Sequence, residues 1–171
     1  MTQADVRSGT LMDWLAEVLP PEVAAAVARD SEARIKRAYR ELLVGHSTSF
    51  DVLNVTARQE PGTAGPVSIS NIPFFSMCGH HLLPYYGSCD VTYWPHEIIT
   101  GLGKIPRLVD LMARRLIIQE HLTQEIAVEI NRQISPRAVT VRTDAVHLCM
   151  ISRGPRSGES RTVCTFAVGE P

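Results

Sequence analysis

An α+β fold is predicted, with an antiparallel sheet backed by helices and an N-terminal helical segment ahead of it. Three features of the sequence point there. Residues 11–45 carry apolar side chains at helical spacing, residues 104–134 do so again, and two pairs of strand-like runs lie between and after them. Helices, strand pair, helix pair, strand pair is the order expected when helices gather on one side of an antiparallel sheet. The 171 residues are enough for one sizeable core. The expected division is a helical segment over residues 1–45 and a sheet-bearing domain over residues 46–171.

In chain order, "LMDWLAEVLP" places Leu11, Trp14, Leu15 and Val18 on one helical face, and Pro20 and Pro21 end the run. The next stretch, "PEVAAAVARDSEARIKRAYRELLVG", is rich in Ala, Glu and Arg, which favour helix. Ser31 with Glu32 can restart a helix inside it, and Gly45 can stop one. Residues 46–66 hold "RQEPGTAGP" and read as a turn-rich loop. "VSISNIPFFSM" and "SCDVTYWP" read as strands, with a turn expected at Tyr86-Gly87-Ser88. In "KIPRLVDLMARRLIIQEHLTQEIAVEINRQI", Ile105, Leu108, Val109 and Met112 share a helical face, and Ile126 and Ile130 share another. Pro106 suits a first turn, and a break is expected between residues 116 and 118. "AVTVRTDAVHLCMI" and "SRTVCTFAV" read as the closing strands.

Composition narrows the function. Seventeen Lys and Arg against 18 Asp and Glu give a formal charge of -1, so neither nucleic acid nor a membrane surface is an expected partner. A local basic pocket for a small anion is compatible with that balance. No apolar run reaches the roughly 20 residues of a membrane span. The opening "MTQADVRSGT" lacks a signal-peptide apolar region, so the cytoplasm is the expected compartment. Four cysteines in a reducing compartment point to thiols or metal ligands rather than a disulfide scaffold.

The stretch "SMCGHHLLPYYG" concentrates metal-binding residue types. Cys78 and His81 have the short spacing common in zinc loops. If "AVHLCMI" is a strand, His147 and Cys149 face one way while Val146, Leu148 and Met150 face a core. Cys78, His81 and Cys149 would make three protein ligands with an open fourth position, the arrangement of a catalytic zinc. His80 and His147 would then stand beside the metal as proton carriers. The residue types alone also permit a closed structural zinc completed by His80 or His147, or no metal.

The ordered motifs resemble those of the GTP cyclohydrolase I family. Present here are Ser76-Met77-Cys78, His80 to Pro84, Gly87, Gly101-Leu102, Lys104, Arg107, Arg114-Arg115-Leu116, Gln119-Glu120, Leu122-Thr123, His147, Cys149-Met150 and Arg153-Gly154. The resemblance implies zinc on Cys78, His81 and Cys149, with an activated water attacking C8 of the guanine of GTP. It implies His80 and His147 as catalytic proton carriers, release of formate, and closure to dihydroneopterin triphosphate. It assigns Glu120, with Gln119 beside it, to guanine, where a carboxylate can accept from N1–H and the 2-amino group. Lys104, Arg107 and Arg153 are implied phosphate contacts. Arg34 and Arg37 resemble a basic pair supplied by the N-terminal helices, from a neighbouring subunit in some arrangements. The implied architecture is the tunnelling fold, or T-fold, in which strand pairs from several subunits close an oligomeric barrel, a homodecamer in the family's usual form.

Two positions depart from the family pattern. Gly79 stands where the family has Glu, and Gly103 where it has Ser. The first removes a carboxylate beside the ligands, the second a hydroxyl near the expected phosphates or ribose. Two further functions are therefore weighed. One is a divergent enzyme that stops at a ring-opened formamide or diaminopyrimidine. The other is a silent nucleotide-binding subunit, against which the retained ligands and histidines argue.

Overall fold

The computed structural model describes residues 11–53, 55–58 and 65–170. The chain forms two compact units that meet between Glu41 and Leu42. In the first, α1 (Leu11–Val18), α2 (Pro21–Asp30) and α3 (Glu32–Leu42, whose last residue belongs to the second unit) follow one another. Pro20 caps α2 and Pro21 opens it, where a missing N–H and a fixed φ cost nothing. Ser31 separates α2 from α3, its N–H donating to the Val27 carbonyl. Helix α3 is amphipathic yet buries no residue, and Arg34 and Arg37 are exposed on it.

The second unit is built on two sheets. Strands β1 (Val55–Arg58) and β4 (Ile98–Thr100) form a two-stranded antiparallel pair. Strands β2 (Val67–Met77), β3 (Pro84–Trp94), β5 (Ala138–His147) and β6 (Thr162–Gly169) form a four-stranded antiparallel sheet in that spatial order. Helices α4 (Lys104–Ala113) and α5 (Gln119–Ile134) cover one face, and a single turn of helix, α6 (Leu148–Ile151), follows β5.

The period-two pattern explains the covered face. Tyr85, Cys89, Val91 and Tyr93 of β3 alternate inward and are fully buried, as are Val139, Val141 and Ala145 of β5 or nearly so. Ile105, Leu108, Val109 and Met112 of α4 and Leu122, Ile126 and Ile130 of α5 meet them. Burial pushes the Cys89 thiol up to about 12, keeping it a neutral core side chain. The other face is mixed, with Phe75 and Tyr86 exposed at one end and polar pairs along the rest. Ser68 and Thr92 share a hydrogen bond across β2 and β3 at 2.9 Å. An Asp90–Arg142–Asp144–Arg161 ladder crosses β3 and β5 and ends on the residue before β6.

Several expectations need correction. Residues 86–88 are not a turn: Gly87 lies inside β3, opposite Ala145. A Cβ there would sit 1.9 Å from the Asp144 carbonyl oxygen, so the residue is glycine because two backbones approach closely, not because the chain reverses. Gly87→Ala should therefore lower stability by about 1–3 kcal/mol or more, read as a fall in the urea midpoint; an unchanged midpoint would contradict the packing described. The segment read as loop contains β1, and β4 was not anticipated; strands of four and three residues are too short to show a period. Part of "RQEPGTAGP" lies outside the described residues. Strand β5 ends at His147, so Cys149 sits on α6 rather than on a strand. His147 shares the inward face of Ala145 and Thr143, while Val146 lies on the outward face with Asp144.

Candidate active site

The reversal between β2 and β3 falls at residues 78–83. The Cys78 N–H donates to the Leu83 carbonyl at 2.9 Å, and the Leu82 N–H donates to the Cys78 carbonyl at 3.0 Å. Leu82 takes a left-handed φ of 55°, as a tight reversal requires. This turn lays Cys78, His80 and His81 at the mouth of the sheet.

The break between α4 and α5 is held against the same turn. The Met77 N–H donates to the Arg115 carbonyl, and the Ile117 N–H to the Met77 carbonyl at 3.0 Å. The Leu116 N–H donates to His46 Nε2 at 2.9 Å. Arg115 donates to the Met112 carbonyl and pairs with Glu125 at 2.7 Å, its guanidinium lying over Phe50. The connection is thereby fixed, and α5 opens with Gln119 and Glu120 beside the Cys78 turn.

A cavity of about 170 Å³ results, walled by Cys78, His80, His81, Gln119, Glu120, His147 and Cys149 among others. Metal-type donors come together in it: one atom each from Cys78, His81 and Cys149 lie within 4.8 Å of one another. Cys78 Sγ and His81 Nδ1 are 3.8 Å apart. A tetrahedral zinc with Zn–S near ~2.3 Å and Zn–N near ~2.05 Å needs donor-to-donor edges of roughly 3.5–3.8 Å. The donors therefore fit such an ion with modest closure. Burial and the neighbouring Cys78 raise the Cys149 thiol, and a cation between the two sulfurs would reverse that penalty.

His147 is held on two sides. Its ring stacks on the buried Tyr85 ring, centroids 4.6 Å apart and planes 2° from parallel. Its Nε2 lies 2.7 Å from Gln119 Oε1. Burial lowers its basicity, and the Glu120 charge works in the opposite direction. Glu120 is exposed at the cavity and also raises the Cys164 thiol, behind burial as the larger cause.

The remaining expected residues divide. Gln119 is 1% exposed and its side-chain amide is turned into the protein. Arg153 is exposed after α6, and its charge acts on the Cys149 thiol. Lys104 and Arg107 occupy the first turn of α4 and do not wall this cavity. Arg34 and Arg37 belong to the other unit. Sequence reasoning missed Tyr85, Thr143 and Thr162 as supports of the site. Inward alternation in "VTVRTDAVH" places Thr143 on the His147 face, which was the available signal.

Neither departing glycine is dictated by space. A Cβ at Gly79 would meet nothing nearer than the Ile117 backbone at 3.8 Å, and one at Gly103 nothing within 4 Å. Gly79 instead lines a second cleft of about 430 Å³, shared with His80, Arg115, His121 and Glu125.

An antiparallel sheet with α4 and α5 on one face, carrying Cys78, His81 and Cys149 in position to bind a metal ion beside a cavity with two further imidazoles and a carboxylate, has the fold and site layout of a T-fold protein with a candidate metal centre. A solved relative supports the fold: the crystal structure of the archaeosine synthase QueF-Like in the apo form superposes with a TM-score of 0.51 at 14% identity, covering 64% of this chain and 98% of that one. The family model for GTP cyclohydrolase I matches residues 12–171. GTP cyclohydrolase 1 of Allorhizobium ampelinum is 42% identical over 142 residues, 82% of this chain and 71% of that protein. The enzyme of Brucella anthropi is 38% identical over 172 residues, 99% of this chain and 79% of its own. That of Leptospira biflexa is 41% identical over 136 residues, 80% and 74% respectively. The chain belongs to the GTP cyclohydrolase I family and is a GTP cyclohydrolase I-like hydrolase. Among the described residues no helix is long and apolar enough to cross a membrane.

Proposed function

We propose that this chain is a zinc-dependent cyclohydrolase that opens the imidazole ring of GTP at C8, releases formate and yields dihydroneopterin triphosphate. The observation that carries the reading is the single cavity on which Cys78, His81 and Cys149 converge with His80, His147 and Glu120. When bound there, zinc supplies Lewis acidity and an acidified water.

The protein groups supply the rest. Glu120 accepts from guanine N1–H and the 2-amino group and so sets the base in the cavity. Water adds to C8, a ring C–N bond breaks, and the departing nitrogen needs a proton. His80 and His147 are the two non-ligand imidazoles on the cavity and serve that transfer. A second hydrolysis frees formate from the formamide.

The cavity of about 170 Å³ is small beside the roughly 300–1,000 Å³ of ordinary ligand pockets. The triphosphate must extend beyond it. Arg153 lies near its mouth, and Lys104, Arg107, Arg34 and Arg37 are the cations we assign to the phosphates, with Arg34 and Arg37 from a neighbouring copy. A homodecamer with a closed barrel would bring them together and cover the sheet edges at β2 and β6. We place the protein in the cytoplasm.

Gly79 and Gly103 favour a second reading, because both omit a polar side chain where there is room for one. In it, ring opening occurs and the later sugar rearrangement fails. Zinc-loaded protein incubated with GTP separates the two. Formate together with an oxidisable, fluorescent pteridine is the expected result. Formate without fluorescence, or a product one water heavier than GTP, supports early arrest. Tight GTP binding with no turnover would overturn both in favour of a silent subunit.

A further inference from the structure

The hydrogen bonds around Gln119 have only one consistent proton arrangement. Thr123 Oγ1 lies 2.8 Å from the Gln119 carbonyl, which can only accept, so the Thr123 hydroxyl proton is committed there. In the 2.7 Å contact between Thr123 and Thr143, the donor must then be Thr143. The Thr143 oxygen in turn accepts from Gln119 Nε2 at 2.9 Å. The chain of bonds leaves the Gln119 side chain and returns to the Gln119 backbone, a closed ring in which each bond polarises the next.

The second amide proton of Gln119 is committed as well. Nε2 lies 2.9 Å from the Thr162 carbonyl and 3.3 Å from that of Thr143. Turning the amide over would set its oxygen against two carbonyl oxygens, so Oε1 is the atom that faces His147. Oε1 can only accept, and it lies 2.7 Å from His147 Nε2. The proton of that bond therefore sits on His147. The parallel Tyr85 ring holds the imidazole plane in place.

We propose that Gln119 is a positioning residue, acting through His147: it fixes the neutral imidazole as the tautomer protonated at Nε2 and leaves Nδ1 as the nitrogen offered to substrate. The side chain takes this role in place of the direct guanine contact expected for it, because both amide protons and the carbonyl are already engaged within the protein. Its catalytic consequence rests on the reaction proposed above; the tautomer itself does not.

The test has two arms. In zinc-loaded wild-type protein with ¹³C,¹⁵N-labelled histidine, the His147 signals are those missing from a His147→Asn sample. At a pH where the ring is neutral, the nitrogen correlated to Cδ2, which is Nε2, should carry the proton. A proton on the nitrogen correlated to Cγ overturns the proposal whether or not GTP is turned over. In the second arm, Gln119→Leu should retain zinc and lower kcat roughly 10²-fold or more with KM for GTP little changed. Thr143→Val, which removes only the hydroxyl that holds the amide, should fall between it and wild type. A raised KM with kcat intact in Gln119→Leu would mean that the side chain binds substrate directly. If either variant fails to fold, the wild-type spectrum still decides the tautomer. A protein inactive on GTP but protonated at Nε2 would refute the reaction and leave the positioning role standing.

Discussion

Cys149→Ala is expected to emerge from a desalting column without zinc and to lose GTP turnover by more than about 10³-fold, since the acidified water goes with the metal. The substitution leaves Cys78 and His81, two donors where an open zinc site needs three. Cys149 stands on α6, two residues beyond β5, only partly buried at the edge of the core. The fold should therefore survive, and circular dichroism at the wild-type signal checks that. Zinc measured by atomic absorption separates a lost ligand from a lost fold. Cys164→Ala is the control for metal content: Cys164 lies on β6, outside the three-donor cluster, and should leave zinc at wild-type stoichiometry. Full zinc occupancy with normal turnover in Cys149→Ala would remove the donor set on which the proposed function stands.

What could be read in the sequence depended on the range of the interaction that fixes each feature. The pairing of Cys78 with His81 is local, carried by a turn of six residues, and its spacing was visible at once. The helix break before Gln119 was visible because the apolar period changes phase there. Gly87 was misread because its reason lies on the neighbouring strand, in the Asp144 carbonyl that a Cβ would strike. Cys149, expected as a metal ligand on a strand, stands close to Cys78 and His81 but on a helix: a four-residue helix has no period, and the alternation of β5 runs straight into it. The role of Gln119 was hidden for the same kind of reason. Its partners, Thr143 and Thr162, come from β5 and β6, 24 and 43 residues away. Nothing near Gln119 in the chain announces that its amide is saturated.

Glu120→Ala should behave in the opposite way to Cys149→Ala, keeping zinc and losing the base. Its carboxylate lines the cavity and is felt at His147, Cys164 and Tyr85, but it lies outside the three-donor cluster. Each charge-assisted hydrogen bond to guanine is worth about 1.5–3 kcal/mol, so losing two should cut kcat/KM for GTP by roughly 10²- to 10⁴-fold. Inosine triphosphate sharpens the assay, because hypoxanthine keeps N1–H and lacks the 2-amino group. Wild type should prefer GTP over it by about 10- to 10²-fold, the value of one such bond. In Glu120→Ala that preference should collapse towards unity, since the acceptor that reads the amino group is gone. Wild-type zinc content with a vanished preference identifies Glu120 as the guanine reader. Loss of zinc in Glu120→Ala, or an intact preference for GTP, would show that another group reads the base and that this carboxylate supports the metal or the fold instead.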